Sequence, residues 1–251
     1  MKAPLVSVIM PAYNSGAYIR QAVDSVYSQQ VSLELIVVDD CSSDDTAGQL
    51  KDYLEREDFC YVKNHTNQGP AASRNRGVSL AKGKYVAFLD SDDWWGEGKL
   101  KEQLRVMEES GAVLCSTGRE LMRWDGTSTG TYIGVKEHLT YRELLKHNSI
   151  NCSSVMLLAG TARQFPMCYD QSHEDYITWL KILKKYGWAR GIDKPYLKCR
   201  LSKNGKSRDK WKSAKMTFQV YRYMGYGIGK SCLFFLSYAV HGICKYGRSV
   251  R

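Results

Sequence analysis

The chain has 251 residues, and 43% of them are apolar, which is enough to bury the core of one domain and excludes wholesale disorder. Its net charge is +10, and the excess lies at one end: from Arg200 onward there are twelve Lys and Arg against one acid, Asp209, while residues 1–199 carry 24 basic and 25 acidic side chains. The eight cysteines show no CxxC pair and no zinc-finger spacing with histidine, and the opening MKAPLVSVIMPAYN lacks the apolar stretch of a signal peptide, so the expectation is a cytoplasmic protein with reduced thiols rather than a disulfide scaffold or zinc module.

Apolar, β-rich runs at residues 5–10, 33–38, 59–62 and 85–89 predict strands. Helical spacing lies between them. Tyr18, Ile19, Ala22, Val23 and Val26 form one stripe, and Ala47, Leu50, Tyr53 and Leu54 a second. Pro70, a good first-turn residue, opens a third helix running to residue 81. Residues 97–110 carry Leu100, Leu104 and Met107 on one face. This alternation predicts an α/β fold with a mostly parallel central sheet and helices on both faces. Further strands are expected at 112–117 and 120–124, the second turning at Asp125-Gly126 into a hairpin with 129–133, and another at 153–158. Residues 174–186 read as a helix with Gly187 past its end. A flexible basic loop at 202–206 leads to helical segments at 210–226 and 230–246. The expected division is an α/β domain over 1–200 and a basic helical extension over 201–251.

In open parallel sheets ligands bind beyond the carboxyl ends of the strands. After the first strand comes Pro11-Ala12-Tyr13-Asn14, after the second Asp39-Asp40-Cys41-Ser42-Ser43-Asp44, and after the fourth Asp90-Ser91-Asp92-Asp93. Three polar segments are thus expected at one rim. Asp90 and Asp92 form a carboxylate pair suited to Mg²⁺ or Mn²⁺, which keep several waters and take further ligands from a diphosphate. A carboxylate at Asp39-Asp40 suits a ring N–H or a ribose hydroxyl. Tyr13 offers a flat face to a base, and Asn14 is placed to cap the first helix. Asp44 and Asp45 read as acids at a helix N-terminus. Arg74, among small residues in the third helix, suits a base carbonyl or a phosphate.

The segments VSVIMPAYN, ELIVVDDCSSDDT, NQGPAASRNRG and GKYVAFLDSDD, in that order, resemble glycosyltransferase family 2, whose fold is called GT-A. The resemblance is dense over about residues 4–95 and thinner to about residue 200. It implies an inverting transfer from a nucleotide-diphosphate sugar, most commonly UDP-linked. By resemblance, the segment from Pro11 to Asn14 serves the donor, with Tyr13 against the base. Asp40 binds base or ribose, Arg74 serves the nucleotide, Asp90 contacts the ribose and Asp92 holds the metal. Cys41 departs from the pattern, where glycine is commoner. The family's general base comes from an acid pair opening a later helix. That pair matches Glu174-Asp175, with Asp175 the expected base and Glu174 its rival. Arg200 resembles a late basic residue near the diphosphate.

The apolar run at 232–244 is interrupted by Ser237, His241 and Gly242 and falls short of the ~20 residues that span a bilayer. It reads as an amphipathic helix lying on an anionic membrane at the inner face of the cell, with Phe234, Phe235, Leu236 and Tyr238 as apolar contacts. The alternative is packing on the domain or on a second subunit. The expected acceptor is a glycan or lipid-linked sugar, in surface polysaccharide synthesis. A sugar-phosphate nucleotidyltransferase would need a glycine-rich phosphate loop after the first strand, which residues 11–16 do not supply. A basic nucleic-acid-binding module would explain the tail but would turn Asp40, Asp90 and Asp92 toward a polyanion, so no nucleic-acid partner is expected.

Overall fold

The computed structural model describes residues 3–168, 172–201 and 210–247, with side chains of the last stretch described over 211–240; the expected basic loop at 202–206 lies outside the described residues. In chain order the elements are β1 (Val6–Ala12), α1 (Ile19–Tyr27), β2 (Leu33–Asp39), a 3₁₀ turn (Gly48–Tyr53), β3 (Phe59–Lys63), α2 (Pro70–Leu80), β4 (Tyr85–Phe88), β5 (Trp94–Trp95) and α3 (Lys99–Ser110). There follow β6 (Leu114–Met122), β7 (Ser128–Ile133), β8 (His138–Thr140), α4 (Tyr141–Lys146), a 3₁₀ turn (Cys152–Ser154), β9 (Met156–Leu158), α5 (Ala159–Gln164), α6 (Glu174–Tyr186), β10 (Trp188–Arg200), α7 (Lys210–Tyr223) and α8 (Ile228–Gly247).

Among the described residues the strands form one sheet in the order β3-β2-β1-β4-β9-β6-β10-β5, with β7 on β6 and β8 on β10. The strands β3, β2, β1 and β4 run parallel, as do β6 and β10, and β9 is inserted antiparallel between β4 and β6. Strands β1 and β2 are covered on both faces, so their residues alternate between two cores rather than between core and water. Ile9, Ile36 and Val38 face the layer containing Ile177, Leu180 and Trp179 of α6. Val8, Met10, Leu35 and Val37 face Ile19, Ala22, Val23 and Val26 of α1 and Leu100 and Leu104 of α3. The absence of a side chain at Gly77 lets α2 lie against β1, since a Cβ there would collide with the Ile9 side chain.

The expected second helix is instead the 3₁₀ turn at Gly48–Tyr53, whose buried anchors are Leu50 and Tyr53; two anchors three residues apart suit the tighter i,i+3 repeat. The two strands expected at 112–117 and 120–124 are one continuous β6, because Gly118 lies inside it and lets Tyr132 and the Lys194 carbonyl approach its backbone. The expected hairpin is present, β6 pairing antiparallel with β7 around Asp125-Gly126. The strand expected at 153–158 keeps its last three residues; Asn151 caps the Ser153 N–H at 2.9 Å and turns residues 152–154 into 3₁₀ structure. Strand β10 carries no clear apolar alternation, since Gly191 and Asp193-Lys194-Pro195 interrupt it, and its pairing with β6 shifts register between Ile192 and Leu197.

The C-terminal helices share the core of the sheet domain. Tyr221 is buried, with its hydroxyl on the Leu145 carbonyl at 2.9 Å, and its ring meets Tyr176 at 6.5 Å and Phe234 at 5.5 Å. The Tyr141 and Tyr226 hydroxyls are 2.8 Å apart. Of the four side chains expected to meet a membrane, Phe234, Phe235 and Tyr238 pack against this core and only Leu236 is exposed. The aromatic rings found better cover in the domain, where Tyr141, Tyr176 and Tyr221 supply matching faces. No described helix is long and apolar enough to cross a membrane.

Candidate active site

Strands β2, β1 and β4 lie side by side, so the segments that follow them meet at one rim. They line a cleft of about 380 Å³. Pro11, Ala12 and Tyr13 come from the end of β1, Asp40 from the end of β2, and Asp90, Ser91 and Asp92 from the end of β4. Asn67, Gly69, Pro70, Ser73 and Arg74 enter from the start of α2, Asn151 and Cys152 from the turn before β9, and His173, Glu174 and Asp175 from the start of α6.

Each acid has a distinct environment. Asp40 is buried and accepts from the Asn64 side chain at 2.6 Å and from the Gln68 and Gly69 backbone N–H groups at 2.9 and 2.7 Å. Three donors on a carboxylate with about four lone-pair sites leave roughly one for anything else. The carboxylate thereby fixes Gly69, which adopts φ 87° before Pro70 opens α2. Asp39 faces away from the cleft, accepting from the Ser42 N–H and the Tyr61 hydroxyl at 2.8 and 2.6 Å.

Cys41 follows at φ 67°, in the left-handed region that disfavours a side chain by about 1 kcal/mol or more. That is the physical reason a glycine suits this position better. Tyr13 lines the cleft and is 52% exposed. Asn14 does not cap α1, whose N-cap position is Tyr18 and which has no side-chain cap. Its Oδ1 accepts from the Ser43 N–H at 2.9 Å and its own N–H donates to Ser42 Oγ at 2.9 Å, tying the first rim segment to the second.

Arg74 is buried and two-handed. One Nη donates to Asp90 at 2.6 Å and the other to Glu174 at 3.0 Å. Its neighbour Asn75 exchanges hydrogen bonds with the Met167 backbone at 2.6 and 2.9 Å, anchoring the segment that leads into α6. Glu174 is therefore committed to an ion pair, whereas among the described residues the Asp175 carboxylate accepts only from its neighbour's N–H, Tyr176 at 2.7 Å. Burial, reinforced by the charge of Glu174, pushes Asp175 up to about 7.

Asp92 is pushed up to about 6, first by burial and then by the charge of Asp90. Asp93 points away from the cleft and accepts from the Arg200 N–H at 2.9 Å. Burial and the charge of Asp92 hold it well above the usual carboxylate range.

Arg200 does not line the cleft. Its guanidinium donates to the carbonyls of Asp92 and Trp124 at 2.9 and 2.7 Å and to Gln21 at 2.6 Å, and it lies over the Tyr18 and Trp94 rings. It clamps the acidic segment from behind instead of reaching a ligand. Ser153 supports the same segment, accepting from the Asp90 N–H at 3.1 Å while its carbonyl receives the Trp95 indole at 2.7 Å.

Among the described residues no three His, Cys, Asp or Glu side chains gather as a metal cage. The donor set fits a cation of the Mg²⁺ or Mn²⁺ kind all the same. Asp92 presents a hard carboxylate to the cleft, and such ions take most of their shell from water and phosphate oxygens rather than from protein. Asn64, Gln68 and Gly69, in the segment after β3, supply the donors that hold Asp40, a role not read from the sequence. Its signal was a polar run following a strand on the same edge.

A sequence model of the family described as Glycosyl transferase family 2 matches residues 7–159. A candidate teichuronic acid biosynthesis glycosyltransferase, TuaG, of Bacillus subtilis (strain 168), is 42% identical over 221 residues, covering 87% of this chain and 88% of its own. The Escherichia coli protein named UDP-Glc:alpha-D-GlcNAc-diphosphoundecaprenol beta-1,3-glucosyltransferase WfaP is 32% identical over 248 residues, covering 98% of this chain and 97% of its own. Among solved structures, S. aureus TarS 1-349 in complex with UDP superposes with a TM-score of 0.72 at 19% identity, over 96% of this chain and 72% of that one. The mannosyltransferase PcManGT of Pyrobaculum calidifontis, in complex with GDP-Man and Mn2+, does so with a TM-score of 0.66 at 18% identity, over 94% of this chain and 70% of that one.

Proposed function

The chain belongs to glycosyltransferase family 2, and from that premise we propose that it moves a sugar from a UDP-sugar to a hydroxyl of a lipid-linked glycan, with inversion, in the synthesis of a surface polysaccharide. The observation that carries the reading is the meeting of Asp40, Asp90, Asp92 and Asp175, from three separate segments, around one cleft. Relatives named for teichuronic acid synthesis and for a diphosphoundecaprenol-linked acceptor support the choice of acceptor. A neighbour of the same fold solved with UDP supports the choice of nucleotide.

In this reading the base stacks on the exposed ring of Tyr13, beside Pro11. Asp40 shapes the nucleoside end by holding the Gly69-Pro70 turn and offers its remaining lone pair to base or ribose. Asp90, steadied by Arg74, accepts from the ribose. Asp92 is the residue that would hold a divalent cation, which neutralises charge on the departing diphosphate when bound. Asp175 takes the proton of the acceptor hydroxyl as its oxygen attacks the anomeric carbon from the face opposite the diphosphate. The new C–O bond forms as the bond to the diphosphate breaks. A base must be deprotonated in good part yet still basic near neutral pH, which a carboxylate near 7 satisfies. Glu174 is the poorer base, since Arg74 already holds it. Arg200 acts by positioning Asp92 and Asp93.

Catalysis would take place where the lipid-linked acceptor is presented, at an anionic membrane face met by the basic C-terminal extension. The region over 1–200 would carry the chemistry. The nucleotidyltransferase and binding-module readings have no comparable support, since the matched family and the named relatives are glycosyltransferases. A panel of nucleotide sugars, scored for Mn²⁺-dependent release of the nucleoside diphosphate, tests the reading. Turnover of one UDP-sugar is expected, and turnover of none, with or without acceptor, would overturn it.

A further inference from the structure

Helix α8 is apolar on both sides. Phe234, Phe235 and Tyr238 pack inward on the core. On the opposite side Leu233, Leu236 and Val240 are 65%, 62% and 59% exposed, and Cys232 is exposed among them. At 3.6 residues per turn Cys232, Leu233, Leu236 and Val240 fall on one continuous face. An all-round apolar helix needs cover on both sides, and the domain supplies one. The helix is too short or too polar to cross a bilayer, so the missing cover is a surface and not a span.

Charge identifies that surface. Helices α7 and α8 contain no Asp or Glu, while Lys212, Lys215, Arg222 and Lys230 are exposed on them. A second cleft, of about 400 Å³, is lined by Lys181, Lys184 and Lys185 with Phe165, Tyr223 and Met224. Met224 precedes Ile228 by four residues, so this basic, aromatic-walled cleft lies within roughly 15 Å of the start of α8. A second copy of so basic a surface would be repelled. An anionic lipid leaflet matches both the apolar face and the lysines around it.

We propose that the outward face of α8, with the Lys181, Lys184 and Lys185 cleft at its N-terminal end, docks the protein on anionic phospholipid. The helix lies in the plane of the interface, with Leu233, Leu236 and Val240 in the acyl boundary and the lysines among the headgroup phosphates. The proposal sharpens the membrane contact of the preceding reading, on which it rests for its purpose. It also moves that contact from Phe234, Phe235 and Tyr238 to the opposite side of the helix.

The test is co-sedimentation of the full chain with vesicles of phosphatidylglycerol or of phosphatidylcholine, without donor or acceptor, so that absence of sugar transfer would count against the preceding reading alone. The wild type should sediment with phosphatidylglycerol vesicles and not with phosphatidylcholine. Leu233→Gln/Leu236→Gln should weaken partitioning about tenfold or more, with unchanged melting and unchanged donor turnover. Lys184→Glu/Lys185→Glu, on the exposed surface of α6, gives a second variant independent of α8 and should also release the protein. Equal sedimentation of either variant, or failure of the wild type to bind phosphatidylglycerol, would overturn the proposal. So would a dimer in solution that Leu233→Gln/Leu236→Gln dissociates, since a second copy would then be the cover.

Discussion

Arg74 and Glu174, one hundred residues apart in the chain, form a buried ion pair at 3.0 Å in the floor of the cleft. The other arm of the same guanidinium holds Asp90 at 2.6 Å. One side chain on α2 thus joins the acidic segment after β4 to the N-terminal turn of α6. The two halves of the site, one for the donor and one for the base, are held at a fixed separation through Arg74.

Replacing Arg74 should therefore affect folding as well as activity. Arg74→Ala strands Glu174 without its cationic partner, and breaking a buried pair from one side costs about 3–5 kcal/mol. Glu174→Gln in the Arg74→Ala background should recover part of that loss, because the stranded charge is gone. Urea unfolding of the single and double variants measures it. Additive losses would show that the two side chains do not act as a pair.

Asp175→Asn should leave donor binding intact and lower transfer by about 10²–10⁴-fold, the usual contribution of a positioned base. Glu174→Gln should lower stability more than the chemical step, since its carboxylate serves Arg74. Single-turnover transfer beside donor titration separates the two. If Glu174→Gln stops transfer and Asp175→Asn does not, the roles are exchanged.

The pH dependence follows from the same carboxylate. Burial and Glu174 raise Asp175 from 3.8 to about 7, so kcat/KM should climb with pH and level off above about 7, with this limb absent in Asp175→Asn. The sign for stability is opposite. A raised carboxylate favours the folded chain while protonated, so its contribution is complete below about pH 4 and is lost as pH rises through about 7. Asp175→Asn, neutral throughout, should melt higher than the wild type at pH 8. A gain on the order of 1 kcal/mol would be about 2–4 °C for a chain of this size. A lower melting point at pH 8 would show that the ionised carboxylate is not penalised by its surroundings.

Much of this arrangement is legible in the sequence. The parallel strands β1 to β4 are continuous apolar runs, and the polar segments at their carboxyl ends carry Tyr13, Asp40, Asp90 and Asp92 into one cleft. What could not be read were partners set by tertiary contact. Arg74 looks like an isolated helix charge until β4 and α6 converge on it. Arg200 looks like a diphosphate ligand until its N–H groups are found donating to oxygens of Asp92, Trp124 and Gln21. Asn14 has the character of a helix cap, but its side chain is taken by the Ser43 backbone. Strand β10 was missed because its pairing with β6 is broken by a register shift at the very residues that spoil its pattern. The inward packing of Phe234, Phe235 and Tyr238 depends on an aromatic pocket contributed by α4, α6 and α7, which no local pattern announces.

The most direct test of the central claim is a calorimetric titration of UDP into the wild-type chain and into Asp92→Ala, each with and without Mn²⁺. A cleft in which Asp92 holds a cation against the donor diphosphate predicts UDP binding that is strengthened at least tenfold by Mn²⁺ in the wild type, about 1.4 kcal/mol, and no such gain in Asp92→Ala. Equal affinity in all four titrations, or no UDP binding in any, would contradict it.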